Sequence, residues 1–170
     1  LTLNTNAVES IAHRGASGYA PENTLVAVKK AIELNANFIE IDVQMSKDGE
    51  VVVFHDDKID RTTNGSGQLK NKTLRELKEL DAGSWFNNKF SNERVPTLEE
   101  VLELNFSNSK IIIEVKNVNN IYPEIEKKII DIVNNSKNKL EVIYKSFGIE
   151  VLERFNKLDP KRSTLYVTIG

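Results

Sequence analysis

The sequence predicts an α/β fold built on a parallel sheet, and three observations point there. Strand-like and helix-like segments alternate from about residue 10 to the end, the order expected of parallel strands joined by crossover helices. Phe38 to Gln44 alternates sharply, with Ile39, Ile41 and Val43 on one side and Glu40, Asp42 and Gln44 on the other. Val51-Val52-Val53-Phe54 is an unbroken apolar run, which suits a strand buried on both faces.

The elements follow in order. Ser10-Ile11-Ala12-His13 is a short first strand, ended by the small-residue loop Arg14 to Gly18. Asn23 or Thr24 can cap a helix whose apolar face holds Leu25, Val28, Ala31, Ile32 and Ala36. Phe38–Gln44 is the second strand, and Lys47-Asp48-Gly49 turns the chain into the third, Val51–Phe54. From Asp56 to about Pro96 the pattern changes, which reads as an insertion on a larger scaffold. Within it, Thr73 caps a short helix through Leu80. Trp85, Phe86 and Phe90 also fall there; packing the insertion onto the scaffold is a plainer role for them than lining an apolar channel.

Alternation then resumes. Thr97 opens a helix carrying Leu98, Val101, Leu102 and Leu104, and Ile111–Val115 is a strand. Pro123 starts a helix with Ile125, Ile129, Ile130 and Val133 inward, and Glu141–Lys145 is a strand. Ile149, Leu152 and Phe155 share a helix face that Asp159-Pro160 ends, and Leu165-Tyr166-Val167 is a last strand. All 170 residues are read as one domain, with the insertion at about 56–96.

Composition narrows the chemistry. Lys and Arg total 23 against 25 Asp and Glu, a net charge of −2, so a broad nucleic-acid surface is not expected. There is no cysteine, which excludes disulfides, thiolate metal sites and a cysteine nucleophile. No apolar run approaches the roughly 18 residues of a membrane-spanning helix. The chain opens on Leu1, so its start is read as processed or trimmed, and the compartment stays open between cytoplasmic and exported.

The candidate site residues are polar groups at strand ends. Glu40 and Asp42, two apart on a strand, share a face at roughly 7 Å spacing. Such like charges call for a neutraliser, and hard oxygen donors suit Mg²⁺ or Ca²⁺; a wet strand edge is the bland alternative. Glu114 ends an otherwise apolar strand, with Lys116 on the same face. The only two histidines, His13 and His55, both end apolar segments and both precede a charged residue, Arg14 and Asp56. In a barrel of parallel strands these groups would meet on one rim. Two imidazoles can serve as base and acid, and Arg14 and Lys116 can receive an anion. These parts together suit phosphodiester cleavage. Asp60–Gly65 is only a faint calcium loop, because Thr62 and Asn71 stand where acidic ligands are needed.

Several separated blocks resemble one family. They are His13-Arg14-Gly15-Ala16-Ser17-Gly18-Tyr19-Ala20-Pro21-Glu22-Asn23-Thr24, Glu40-Ile41-Asp42-Val43 and Asp48 to Asp56. Arg61-Thr62-Thr63-Asn64-Gly65, Pro96 to Leu102, Ile113-Glu114-Val115-Lys116 and Ser146-Phe147 add to them. In order and spacing they look like the glycerophosphodiester phosphodiesterases. The resemblance implies a TIM (β/α)8 barrel and hydrolysis of glycerophosphodiesters to glycerol 3-phosphate and an alcohol. It implies acid and base roles for His13 and His55, a divalent metal (Mg²⁺ or Ca²⁺) on Glu40, Asp42 and Glu114, and phosphate contacts from Arg14 and Lys116. Glu22 falls beside the site, in a place to orient Arg14.

A TIM barrel typically takes about 250 residues. Strands centred on Ile11, Ile41, Val52, Ile113 and Val142, with a sixth at Leu165, leave the expected barrel incomplete at its C-terminus. The expected mechanism has His13 taking a proton from the attacking oxygen and His55 giving one to the leaving alkoxide, an assignment that could be reversed. The attacker is the glycerol 2-hydroxyl or water. Rival readings are a lysophospholipase D-like or cyclising phospholipase acting on a longer lipid, a glycosidase using paired carboxylates, and a non-catalytic glycerophosphodiester-binding barrel.

Overall fold

The computed structural model describes residues 8–168. Its strands are β1 (Ile11–Ala12), β2 (Phe38–Met45), β3 (Val51–Val53), β4 (Lys110–Val115), β5 (Val142–Ser146) and β6 (Ser163–Tyr166). Its α-helices are α1 (Leu25–Glu33), α2 (Leu74–Lys78), α3 (Leu98–Leu102), α4 (Ile125–Asn135) and α5 (Ile149–Leu158). The sheet runs β1-β2-β4-β5-β6, every pairing in that order being parallel.

Helix starts follow their caps. The Thr24 hydroxyl, not Asn23, accepts the Ala27 N–H at the head of α1. Thr73 and Thr97 each form a reciprocal capping box, with Glu76 and Glu100. The helices cover one face of the sheet. Ile39, Ile41 and Val43 of β2, Ile111, Ile113 and Val115 of β4, and Val142 and Tyr144 of β5 pack there against Val28, Val101, Ile129, Val151 and Phe155. Burying such side chains is the main stabilising term, about 1.5–3 kcal/mol each.

Two expectations are corrected here. β3 is not a member of the parallel set: it runs antiparallel to β2, pairing Val43 with Val53 and Met45 with Val51. The connection through Asp48-Gly49, with Gly49 at φ +85°, is far too short for the crossover a parallel neighbour needs. The buried character of Val51–Val53 does hold. Ile149 is not on the inward face of α5; it is 53% exposed, and Val151 takes its place with Leu152 and Phe155. Ile149 is the first residue of the helix, and the buried stripe begins two residues later.

The insertion has an apolar cluster of its own, made by Ile59, Leu69, Leu77, Ala82 and Val95. Val52 and Phe54, on and just after β3, complete it and tie the insertion to the sheet. Trp85, Phe86 and Phe90 do not make that joint. They pack edge-on against one another, and Trp85 stays 41% exposed.

Candidate active site

The strand pleat builds the site. Because Ile39, Ile41 and Val43 turn toward the helices, Glu40, Asp42 and Gln44 must turn to the opposite face. Parallel register then sets Asp42 beside Glu114 and Glu114 beside Lys145. Glu40 and Asp42 are 1% exposed and Glu114 is 3% exposed, so none of them is a wet strand edge.

One oxygen from each of Glu40, Asp42 and Glu114 lies within 4.8 Å of the other two. Positive groups offset their repulsion. Lys116 Nζ stands 3.0 Å from Asp42 Oδ1 and also pairs with Glu114. Lys145 Nζ lies 2.8 Å from Glu40 Oε1 and 2.7 Å from Glu114 Oε2. Burial pushes the Glu114 carboxyl upward, but hydrogen bonds and charge from Lys116 and Lys145 outweigh it and hold the group below the usual carboxylate range.

The donor set fits a hard divalent cation. It offers three anionic oxygens within reach of a common centre. Asp42 Oδ1 is fully buried and, although the Lys116 ammonium stands 3.0 Å away, accepts no hydrogen bond of good geometry, so it keeps lone-pair capacity that a divalent cation would take up.

The loop after β1 brings in the N-terminal part. Arg14 and Gly15 are both left-handed, at φ +58° and +75°, and this turns the chain back over β2. The Arg14 N–H donates to Glu40 Oε2 at 2.9 Å, and the Gly15 N–H donates to the Glu40 carbonyl at 2.9 Å. His13 Nε2 lies 4.0 Å from Glu40 Oε2 with its ring largely exposed. The Arg14 guanidinium reaches Glu22 at 2.8 Å and stands 3.5 Å from Asp42. Asn23 is buried and left-handed; its amide donates to Asp42 Oδ2 at 2.8 Å, and its side-chain oxygen accepts the Asp42 N–H. A left-handed arginine costs about 1–2 kcal/mol, strain of the kind that collects at functional sites.

His55 arrives from the other direction. It follows an antiparallel strand, so its position is not the carboxyl end of a parallel one, as expected from sequence. The hairpin carries it back to the same place: the Phe54 N–H donates to the Asp42 carbonyl at 2.9 Å. His55 Nδ1 lies 2.5 Å from Asp56 Oδ1. Arg61 clamps Asp56 through two hydrogen bonds and Glu22 through two more. The Arg61 hydrogen bond, stronger than the opposing effect of burial, pulls the Asp56 carboxyl down to about 2. Asp56 is therefore ionised, and its contact with His55 Nδ1 fixes the orientation of the ring.

Contacts thus join all eight sequence-selected residues. They run from His13 to Glu40, through Lys145, Glu114 and Lys116 to Asp42, then through Arg14, Glu22, Arg61 and Asp56 to His55. Lys145, Arg61, Asp56 and Asn23 were given no role in the site from sequence; Asn23 was read only as a candidate helix cap, and instead binds Asp42. Lys145 had a visible signal, a single cation closing the apolar run Val142-Ile143-Tyr144.

The profile of the glycerophosphoryl diester phosphodiesterase family matches residues 13–170. The chain belongs to this family. Within the family it is 48% identical over 151 residues to a glycerophosphodiester phosphodiesterase of Caldanaerobacter subterraneus, covering 88% of this chain and 62% of that protein. It is 41% identical over 179 residues to one from Bacillus subtilis, covering 96% of this chain and 60% of that protein. Among solved structures it matches an Oleispira antarctica phosphodiesterase in complex with the product sn-glycerol-3-phosphate, with TM-score 0.88 and 35% identity. That match covers 94% of this chain and 65% of the other. The chain therefore spans about three-fifths of the length of the curated relatives it matches. Among the described residues, no helix is long and apolar enough to cross a membrane.

Proposed function

We propose that the protein hydrolyses glycerophosphodiesters to glycerol 3-phosphate and an alcohol, with the described sheet forming part of a TIM barrel. The barrel reading is supported by the parallel order β1-β2-β4-β5-β6 and by β1 and β6 each having one sheet neighbour among the described residues. A single domain with an insertion at about 56–96 belongs to the same reading. Its support is the shared cluster of Val52 and Phe54 with Leu69 and Leu77.

One observation carries the proposal: three buried carboxylates, two histidines and a set of Lys and Arg cations form one connected network. Glu40, Asp42 and Glu114 would hold a divalent cation, Mg²⁺ or Ca²⁺, which when bound would offset the negative charge developing on the phosphoryl oxygens. Arg14, fixed by Glu22, binds and orients the phosphate, and Lys116 adds a second cation beside it. His13 takes the proton of the attacking oxygen, either water or the glycerol 2-hydroxyl. His55, held by Asp56, gives a proton to the leaving alkoxide. Water displaces the alcohol directly and leaves glycerol 3-phosphate; the 2-hydroxyl displaces it to leave a cyclic phosphate, which water then opens, so the net hydrolysis is the same.

The test uses the full-length protein with glycerophosphocholine as substrate and a lysolipid in parallel. His13→Ala and His55→Ala are each expected to lower kcat by at least about 10²-fold. Chelation should abolish turnover, and Mg²⁺ or Ca²⁺ should restore it. Near wild-type turnover in either variant sinks the two-histidine scheme; full activity in excess chelator sinks the metal assignment. Preference for the lysolipid would move the substrate to longer lipids.

A further inference from the structure

Lys145 has no part in that scheme, yet its ammonium stands among the carboxylates. The pleat of β5 explains why. Tyr144 turns to the helix face, where its ring stacks on Phe155 at 4.0 Å and its hydroxyl pairs with Asp159 at 3.1 Å. Lys145 must then turn to the other face, directly beside Glu114. It is pinned there, because β5 is paired on both sides, by β4 and β6. From this position Nζ bridges Glu40 Oε1 at 2.8 Å and Glu114 Oε2 at 2.7 Å, and the side chain is 15% exposed. One ammonium thus engages oxygens of two of the three carboxylates that could hold a cation.

We propose that Lys145 is an internal counter-cation of the metal site. In the metal-free protein it neutralises Glu40 and Glu114, and a divalent ion must displace its ammonium to gain those oxygens. The inference rests on the reading of the three carboxylates as metal ligands. Its physics is competition between cations for the same lone pairs. Whatever free energy holds the ammonium is subtracted from the free energy of metal binding, as with any competing ligand. Without Lys145, Asp42 and Glu114 would keep the Lys116 ammonium and Asp42 the Arg14 guanidinium, but Glu40 would lose its one Lys or Arg ion pair among the described residues, leaving the repulsion within the cluster less offset. The side chain therefore makes the metal-free cluster tolerable and sets metal affinity lower than the carboxylates alone would give. Lys145 acts through Glu40 and Glu114, as a positioning residue.

The experiment is calorimetric titration of the full-length protein with Mg²⁺ and, separately, Ca²⁺, for wild type, Lys145→Met and Lys145→Arg. Thermal melts in chelator and in metal accompany it. Lys145→Met is expected to bind the ion at least about tenfold more tightly, a difference of about 1.4 kcal/mol. It should also melt below wild type in chelator and gain more on metal addition. Lys145→Arg, which keeps the charge, should stay nearer wild type than Lys145→Met in both readouts. Equal or weaker binding by Lys145→Met overturns the inference while leaving the metal site standing. No binding by any of the three overturns the metal assignment and the inference together. Should Lys145→Met not fold in chelator, Lys145→Gln carries the same comparison.

Discussion

Gly15 is the residue at which a single added carbon should do most damage. Its φ of +75° lies in the left-handed region, and it follows Arg14 at +58°. An alanine Cβ there would lie 2.7 Å from the backbone carbon of Ala27 and 2.9 Å from its carbonyl oxygen. That carbonyl is held in α1 and accepts the Ala16 N–H at 2.9 Å, so it cannot step aside. Left-handed strain costs about 1–2 kcal/mol for a non-glycine residue and overpacking about 1–3, so Gly15→Ala should cost about 2–5 kcal/mol. At about 2–4 °C per kcal/mol for a chain of this size, Tm should fall by roughly 4–20 °C. The same loop donates two backbone hydrogen bonds to Glu40, so metal affinity should fall with it. Scanning calorimetry of the full-length protein, with and without Mg²⁺, reads both effects. Gly18→Ala is the control: its Cβ would meet nothing within 4 Å, and the change should stay within about 0.5 kcal/mol. A Gly15→Ala protein melting within about 1 °C of wild type would refute the reasoning. So would a Gly18→Ala protein that melts equally low.

Two further outcomes follow from the same geometry. Asp56 is depressed to about 2 by Arg61, so its stabilisation is present above the ordinary Asp value of about 3.9 and is lost as pH falls through about 2. Asp56→Asn should therefore melt below wild type at neutral pH, with the gap narrowing from about pH 5 downward; a gap independent of pH would contradict this. Thr97→Ala removes the hydroxyl that accepts the Glu100 N–H, and should cost about 1 kcal/mol. Thr97→Ser, keeping the hydroxyl, should recover most of the loss in a urea titration.

The candidate site was largely legible in the sequence because its chemistry obeys local rules. Glu40 and Asp42 are two apart on a strand with aliphatic neighbours, so a shared face could be read directly. His13, His55, Glu114 and Lys116 stand at the ends of apolar segments, where a strand leaves the core. What connects them was not legible. Lys145 reaches Glu114 only because β4 and β5 are parallel neighbours in one register. Arg61 meets Glu22 across 39 positions, through an insertion whose fold no local pattern gave. The aromatic trio misled for the same reason: size suggests a place in the joint, but Trp85, Phe86 and Phe90 pack against one another outside the cluster that ties the insertion to the sheet.

The division between the two sources is physical. Residue type and period settle what a segment can be, because pleat and helical pitch are properties of the backbone alone. By that route the sequence determined an α/β chain, helix starts at Asn23 or Thr24, at Thr73 and at Thr97, and polar Glu40 and Asp42 opposite a row of aliphatics. Strand order, the reversal of β3 and the gathering of Lys116, Lys145 and Arg14 around three buried carboxylates were decided by the tertiary structure. These depend on which distant surfaces exclude water together, and on charges that become strongly coupled only after that water is gone.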